Sequence, residues 1–409
     1  MKNPLRAGLL LMISAGFCLP ASALIFYSTG DASHNTNAPA GALENSGWQW
    51  QGEWSGNQPY WEYLGTPIAR HYFITAKHTG GTASWDFRYN GVTYTPLAQY
   101  EDASSDLEIW KVKEPFESYA PLYTDSDESG KGCVIFGRGN IRGAVLETSR
   151  TNGWKWGARD NVMRWGTNLI TGASTYLAAD FNGGGSNECV VADKDSGGAH
   201  FIKDDAGVWR LAGISYGLSP STFSTNSSGS NSFNAACFEY RGLYYYDGSW
   251  KYGSGGQPLE QTMYTTRIST RYAWITTVIG DELDQDVDLL PDWWESEHGA
   301  SATGMVASAD TDSDGFTNLQ EWIADTDPTD TNSFFEIDHA VMLTNQTLYF
   351  IGSTARQYQV FYTTNDLADA GLTWNPAHPD PVWGTGSNSE ITGTNTENTV
   401  FYRLRVTLP

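Results

Sequence analysis

Asp193-Lys194-Asp195-Ser196-Gly197-Gly198 sets a small hydroxyl residue between an acid and two glycines. Alone, the stretch is a turn signal. Two segments upstream change its meaning. Ile74-Thr75-Ala76-Lys77-His78 reads as a strand that ends on a histidine. Ser104-Ser105-Asp106-Leu107-Glu108-Ile109-Trp110-Lys111-Val112 reads as a turn entering a strand, with an aspartate at the junction. A serine hydroxyl is a weak nucleophile until an imidazole takes its proton and a carboxylate holds that imidazole in the right tautomer. The candidates are therefore Ser196 as nucleophile, His78 as general base and then acid, and Asp106 as the orienting group. His71 is a poorer base, because it opens the strand that His78 closes.

These stretches resemble the trypsin/chymotrypsin-like serine peptidases. Thr75-Ala76-Lys77-His78 matches that family's T-A-A-H, Asp106 to Ile109 its D-L-A-L-L-like strand, and Lys194 to Gly198 its G-D-S-G-G. Leu211-Ala212-Gly213-Ile214-Ser215-Tyr216-Gly217 is similar to the cleft-lining strand. Tyr264 to Ile268 and Tyr272-Ala273-Trp274-Ile275 resemble the last strand and closing helix. The five matches keep the family's order over roughly residues 24–280, which makes them far more specific than any single motif. The resemblance implies a mainly β, double β-barrel domain with a C-terminal helix. It implies an oxyanion hole from the amides of Lys194 and Ser196. Lys194 replaces the family's glycine, a departure worth about 1–3 kcal/mol of turn strain. Val190 falls where the base of the specificity pocket is expected, with Ser215, Tyr216 and Gly217 along the substrate strand. An apolar Val190 gives no counter-charge for arginine or lysine, so cleavage after apolar or aromatic residues is expected. Asp195 matches the aspartate that pairs with a freed N-terminal amine in activated members of the family.

Lys2 and Arg6 precede an apolar run from Leu9 to Leu19, and Ala21-Ser22-Ala23 fits a small-residue cleavage site. Residues 1–23 therefore read as an export signal, too short to span a bilayer. Cleavage would expose Leu24 followed by Ile25, an apolar start able to insert toward Asp195. It would also remove Cys18 and leave Cys133, Cys189 and Cys237, so one disulfide bond at most is expected and its pairing stays open. The formal net charge of −23 over 409 residues opposes binding to nucleic acid or to anionic membrane surfaces. The expectation is a secreted bacterial protein acting on proteins or peptides, without membrane insertion.

Past Gly280 the composition shifts, and residues 281–333 read as an acidic linker with a short helix around Leu290 to Glu295. Asp310-Thr311-Asp312-Ser313-Asp314-Gly315-Phe316-Thr317-Asn318-Leu319-Gln320-Glu321 follows, with acidic or amide oxygens at the first, third, fifth, ninth and twelfth positions. In such loops the odd-numbered oxygens reach one cation, the sixth residue turns the chain, and the twelfth closes the site bidentately. The stretch resembles EF-hand-type loops of the dockerin or thrombospondin-repeat kind. Asp310, Asp312, Asp314, the Phe316 carbonyl, Asn318 and Glu321 are its implied Ca2+ ligands, with Asp325 and Asp327 as further candidates. The role expected of the ion is structural. Alternation returns in residues 334–409, with Tyr358, Val360 and Tyr362 on one face and Val400, Tyr402, Leu404 and Val406 on another. A small β-sandwich is expected there, with a surface or polymer ligand as its partner. The competing reading of the whole chain is a protease-like binding or adhesion protein without turnover. Zinc hydrolases are excluded by the lack of H-E-x-x-H, and phosphate loops by glycine clusters with no following Lys-Ser/Thr.

Overall fold

Short runs of alternating apolar and β-branched residues, broken by Gly, Asn and Asp, favour strands over helices. The computed structural model bears this out over the residues it describes, 24–56, 62–342, 346–368, 371–393 and 400–409. The expected signal 1–23, with Cys18, lies outside them. The chain divides into two compact units. One runs to Phe116 and again over Leu122–Val278, and the other joins Glu117–Pro121 to Ile279–Pro409.

The first unit is built on two curled, antiparallel, seven-stranded sheets, the double half-barrel arrangement expected for it. The N-terminal sheet runs Val92–Tyr94, Asp86–Tyr89, Gly52–Ser55, Tyr63–Ala69, Tyr72–Ala76, Leu107–Val112, Pro96–Glu101. The chain folds back at Arg70-His71, so that Tyr63–Ala69 and Tyr72–Ala76 pair and His71 does not open the strand as expected. His71 thus occupies a hairpin turn. Trp54, Phe73, Phe87, Trp110 and Phe116 fill this sheet's core, with the Phe73 and Phe87 rings stacked at 4.0 Å. Truncating aromatic residues in a core costs about 3–5 kcal/mol each, so the cluster holds the strands that carry His78 and Asp106 firmly in register.

The second sheet runs Arg164–Leu169, Gly132–Gly137, Ala199–Lys203, Trp209–Ser219, Gln261–Arg267, Tyr176–Phe181, Gly172–Ala173. A further six-stranded sheet contains Thr151–Arg159 and Phe233–Cys237. The helix Tyr272–Ile279 closes the unit where the closing helix was expected. Cys133, Cys189 and Cys237 are all buried free thiols, so the anticipated disulfide does not form among the described residues. Burial pushes the Cys133 thiol up to about 12 and keeps it protonated. All three therefore behave as small core residues.

In the second unit, Thr317 caps the helix Asn318–Ala324 through a reciprocal box with Gln320. The helix Asp292–Gly299 starts after Pro291 and ends on left-handed Ala300. The C-terminal strands form two sheets. One holds Ile337–Met342, Gln346–Gly352 and Ser387–Gly393, and the other is centred on Gln357–Thr363 beside Phe401–Thr407. Leu348, Phe350, Tyr358, Val360 and Ile391 form their shared core, the small sandwich expected from the alternation. No helix among the described residues is long and apolar enough to cross a membrane.

Candidate active site

Strand register places the first two groups. Ala76 lies opposite Leu107, so the residues just beyond one strand end meet those just before the other. The Lys77 amide donates to the Asp106 carbonyl at 2.8 Å, and the His78 amide donates to Asp106 Oδ1 at 3.0 Å. Asp106 Oδ2 then sits 2.5 Å from His78 Nδ1, and Asp106 is only 9 % exposed. With Nδ1–H held by the carboxylate, His78 Nε2 is the nitrogen left to accept a proton. It lies 2.6 Å from Ser196 Oγ. The structure brings His78, Asp106 and Ser196 together within hydrogen-bonding distance, although 118 residues separate the histidine from the serine.

Ser196 projects from a tight turn just ahead of the strand Ala199–Lys203. The Gly198 amide donates to the Asp195 carbonyl at 3.1 Å, and the Ser215 amide donates to the Gly198 carbonyl at 2.8 Å. Gly197 has φ 82°, and a Cβ there would overlap the Leu64 carbonyl oxygen and Thr75 Oγ1. Glycine is required at that position by backbone conformation and by space.

Lys194 adopts φ 71°, the left-handed conformation that the resemblance assigns to glycine. Its Nζ donates to the Tyr63 hydroxyl at 2.6 Å and lies 3.7 Å from a Glu62 carboxylate oxygen. The side chain is therefore held to one side, and the backbone turn forms without glycine. Among the described residues, the amides of Lys194 and Ser196 donate to no protein acceptor. Both amides therefore remain available to an outside acceptor beside Ser196.

Replacing Lys194 with glycine tests whether the side chain matters. Relief of left-handed strain is worth about 1–2 kcal/mol. It is opposed by about 0.5–1 kcal/mol of unfolded-state entropy and up to about 1 kcal/mol from the Tyr63 and Glu62 contacts. Lys194→Gly should therefore unfold within about 1 kcal/mol of the parent in urea, and its Ser196 should react with an acyl or phosphonyl reagent within about threefold of the parent rate. A hundredfold drop would mean that the lysine side chain, rather than the amide, supports the site.

A pocket of about 240 Å³ opens beside Ser196, walled by Trp156, Val191, Ala192, Gly217 and Leu218, with Asp193 as its charged member. Val190 is not in that wall. Its strand pairs with Ile25, which turns the valine into the core formed with Leu24, Ile25 and Phe26, at 0 % exposure. The next residue, Val191, lines the pocket instead. Ser215 is buried as well. Its hydroxyl meets His200 Nε2 at 2.9 Å, and its backbone braces the serine turn. Burial drives the His200 imidazole down to about 3, so it stays neutral and structural. Tyr216 is 42 % exposed, stacks on Tyr176 at 4.8 Å and meets the His78 ring edge-on at 6.0 Å. Of the expected substrate strand, Tyr216 and Gly217 face the cleft. Trp156 and Tyr176 carry no local sequence signal, because they reach the cleft from distant strands.

Asp195 is 1 % exposed and accepts from the amides of Gly139 at 2.7 Å and Ala192 at 2.8 Å. The Arg138 and Leu24 amides also bear on it. Burial outweighs these donors and raises its carboxyl from 3.8 to about 7. Leu24 lies against it, fully buried, with a side-chain methyl near Gly137 beside the Asp195 carboxylate.

In the second unit, Asp310, Asp312 and Asp314 gather carboxylate oxygens within 4.8 Å of one another, and Gly315 makes the turn at φ 102°. Asp312 Oδ2, Asp314 Oδ2 and Glu321 Oε2 are buried without a partner. Burial and then Asp312 and Asp314 raise the Glu321 carboxyl to about 7. Inward-facing oxygens left unsatisfied in an anionic cluster fit a hard divalent cation. Asn318 is fully buried, accepting from Thr311 Oγ1 and donating to the Val306 carbonyl. The Phe316 ring stacks on Phe334 at 6.0 Å. Asp325 and Asp327 are committed elsewhere: Asp325 binds Arg356 at 3.1 Å and accepts from Ser353, while Asp327 accepts from the Thr329 amide and hydroxyl.

No family model matches the chain, and no curated protein matches it. Among solved structures it is similar to mouse neuropsin, described as a serine protease expressed in the limbic system of the brain, at 15 % identity and TM-score 0.38. That match covers 57 % of this chain and 96 % of neuropsin. Human heparin binding protein matches at 12 % identity and TM-score 0.38, covering 60 % of this chain and 96 % of that one. A mutant of the same human protein gives 13 % identity and TM-score 0.38, covering 57 % and 92 %. With so little sequence in common, the fold is carried by the strand order and register described above.

Proposed function

We propose that the chain is a secreted serine endopeptidase that hydrolyses peptide bonds through an acyl-enzyme formed on Ser196. The observation that carries this reading is the continuous chain Asp106–His78–Ser196, with contacts of 2.5 and 2.6 Å. His78 Nε2 takes the Ser196 proton as Oγ attacks the carbonyl carbon and returns it to the leaving amine. Water then repeats the sequence to release the acid. The amides of Lys194 and Ser196 stabilise the oxyanion. The walls of the pocket beside Ser196 support cleavage after apolar or aromatic residues. The direct test is labelling by a fluorophosphonate, with Ser196→Ala as control. Labelling of the parent alone supports the enzyme, whereas a folded parent that never labels would favour a binding protein.

Cleavage of the leader after Ala23 would place an α-ammonium at Leu24, beside the Asp195 carboxyl, which is buried and has no Lys or Arg partner among the described residues. Without that ammonium, Asp195 holds its proton longer in the folded state than in the unfolded one. Its contribution to stability is then lost as pH rises from 3.8 through about 7. With the ammonium, the pair favours the charged carboxylate and that loss disappears. N-terminal sequencing of the secreted active protein should read Leu24-Ile25. One residue added before Leu24 should restore the loss of stability between pH 4 and 7. Active protein starting far downstream of Ile25 would end this reading.

For residues 310–321 we propose a structural Ca2+ site. At calcium a hundredfold above Kd, linkage adds about 2.7 kcal/mol, enough to raise the melting of a domain of this size by about 10 °C. Equal melting in calcium and in chelator would count against it.

A further inference from the structure

The segment Asp281 to Asp288, which reads as an acidic linker, folds into something more specific. Counting from Asp284, carboxylates stand at the first, third, fifth, ninth and twelfth positions: Asp284, Asp286, Asp288, Asp292 and Glu295. These are the offsets of the loop that begins at Asp310. The sixth position is Leu289 rather than glycine, and for that reason the pattern does not stand out in sequence. Leu289 nevertheless adopts φ 81°, the same left-handed turn that Gly315 makes at φ 102°.

The internal hydrogen bonds repeat as well. In one loop the sixth amide, Gly315, donates to the first aspartate, Asp310, at 3.0 Å. In the other, Leu289 donates to Asp284 at 2.9 Å. The seventh amide donates to the fifth aspartate in both, Phe316 to Asp314 at 2.8 Å and Leu290 to Asp288 at 2.9 Å. The side chain at the second position donates to that at the ninth, Thr311 to Asn318 at 2.8 Å and Gln285 to Asp292 at 2.5 Å. Two stretches with unlike residues at the sixth position have folded into one conformation.

That conformation gathers Asp284, Asp286 and Asp288 with oxygens within 4.8 Å of one another. A cluster of acids needs no ion if each oxygen is solvated or bonded. Here two are neither. Glu295 is 0 % exposed and its Oε2 has no partner; Asp284 is 7 % exposed and its Oδ1 has none. The Glu295 carboxylate lies in the field of Asp284, Asp286 and Asp288, as Glu321 lies in that of Asp312 and Asp314. The other oxygens of the two groups are occupied, Glu295 Oε1 by the Met305 amide at 3.2 Å and Asp284 Oδ2 by the Tyr119 hydroxyl and Leu289 amide. An unbonded carboxylate oxygen buried among like charges is costly unless a cation is shared.

We propose that Asp284–Glu295 is a second binding loop for a divalent cation of the calcium class, with the carboxylates of Asp284, Asp286, Asp288 and Glu295 and the Leu290 carbonyl as ligands. Many oxygen donors on an irregular loop suit calcium better than magnesium, which demands near-octahedral geometry and keeps its water.

Calorimetric titration of the chelator-stripped mature chain with Ca2+ tests this. Two ions per chain are expected. Glu295→Gln, which keeps shape and removes charge, should leave one, Glu321→Gln should leave one, and the double variant none. Far-ultraviolet circular dichroism reports whether Glu295→Gln still folds. If it does not, Asp286→Asn decides the matter: that side chain is exposed, and its loss should weaken one of the two sites by about tenfold or more. A single ion lost with Glu321→Gln alone would overturn the proposal, as would two ions indifferent to Glu295→Gln and Asp286→Asn. A single ion lost with Glu295→Gln alone would uphold it and overturn the site at 310–321. No binding at all would overturn both.

Discussion

Ser196→Ala should lower kcat on a peptide substrate by about 10⁶-fold, with KM changed by less than about threefold. In the proposed reaction this hydroxyl bonds to the substrate, and among the described residues it is the group at the end of the hydrogen-bonded chain from Asp106 through His78. Alanine keeps the turn, because Gly197 and the Ser215 contact to Gly198 hold it. Substrate binding should therefore survive while the covalent step is lost. What remains, about 10³–10⁴ over water, would come from the two amides and from positioning. At 1.36 kcal/mol per tenfold, the loss corresponds to about 8 kcal/mol of transition-state stabilisation. Steady-state kinetics with an active-site count from the parent would check this. A variant retaining more than about one per cent of parental kcat would remove Ser196 from the chemistry.

Asp106→Asn should lower kcat by about 10⁴-fold, roughly 5 kcal/mol, while leaving the fold in place. Asp106 Oδ1 accepts from the His78 amide and Oδ2 faces Nδ1, so both oxygens are used on one residue. An asparagine can keep one acceptor but must turn its NH2 toward the other. Keeping the backbone bond presents that NH2 to Nδ1, which forces the proton onto Nε2. The nitrogen facing Ser196 would then donate where it needs to accept. Tautomer, rather than distance, is what the substitution changes. Fluorophosphonate labelling should slow in parallel with turnover, and a drop of less than about tenfold in either would show that His78 is oriented by something other than this carboxylate.

The triad was legible in the sequence because each member sits at the end of a strand with its own flanking pattern. Antiparallel pairing then turns Ala76 opposite Leu107 into an encounter between His78 and Asp106. The left-handed turn at Lys194 was legible only as an anomaly. The chain solves it with backbone strain and a tether to Tyr63 rather than with glycine. Val191, not Val190, lines the pocket beside Ser196. Strand side chains alternate, and the pairing with Ile25 sends Val190 to the core.

By itself, the sequence determined the β class, singled out His78, Asp106 and Ser196 as residues that meet, and marked the acidic loop at 310–321. These depend on local periodicity and fixed offsets, which the chain carries wherever it folds. Only the tertiary structure decided which residues wall the pocket, that Leu24 lies at a buried Asp195, that Cys133, Cys189 and Cys237 form no disulfide among the described residues, and that Leu289 turns like a glycine. Those outcomes follow from burial and from contacts between distant segments. Packing can hold a side chain in a conformation its own preferences oppose, and nothing in its immediate neighbours along the chain records that.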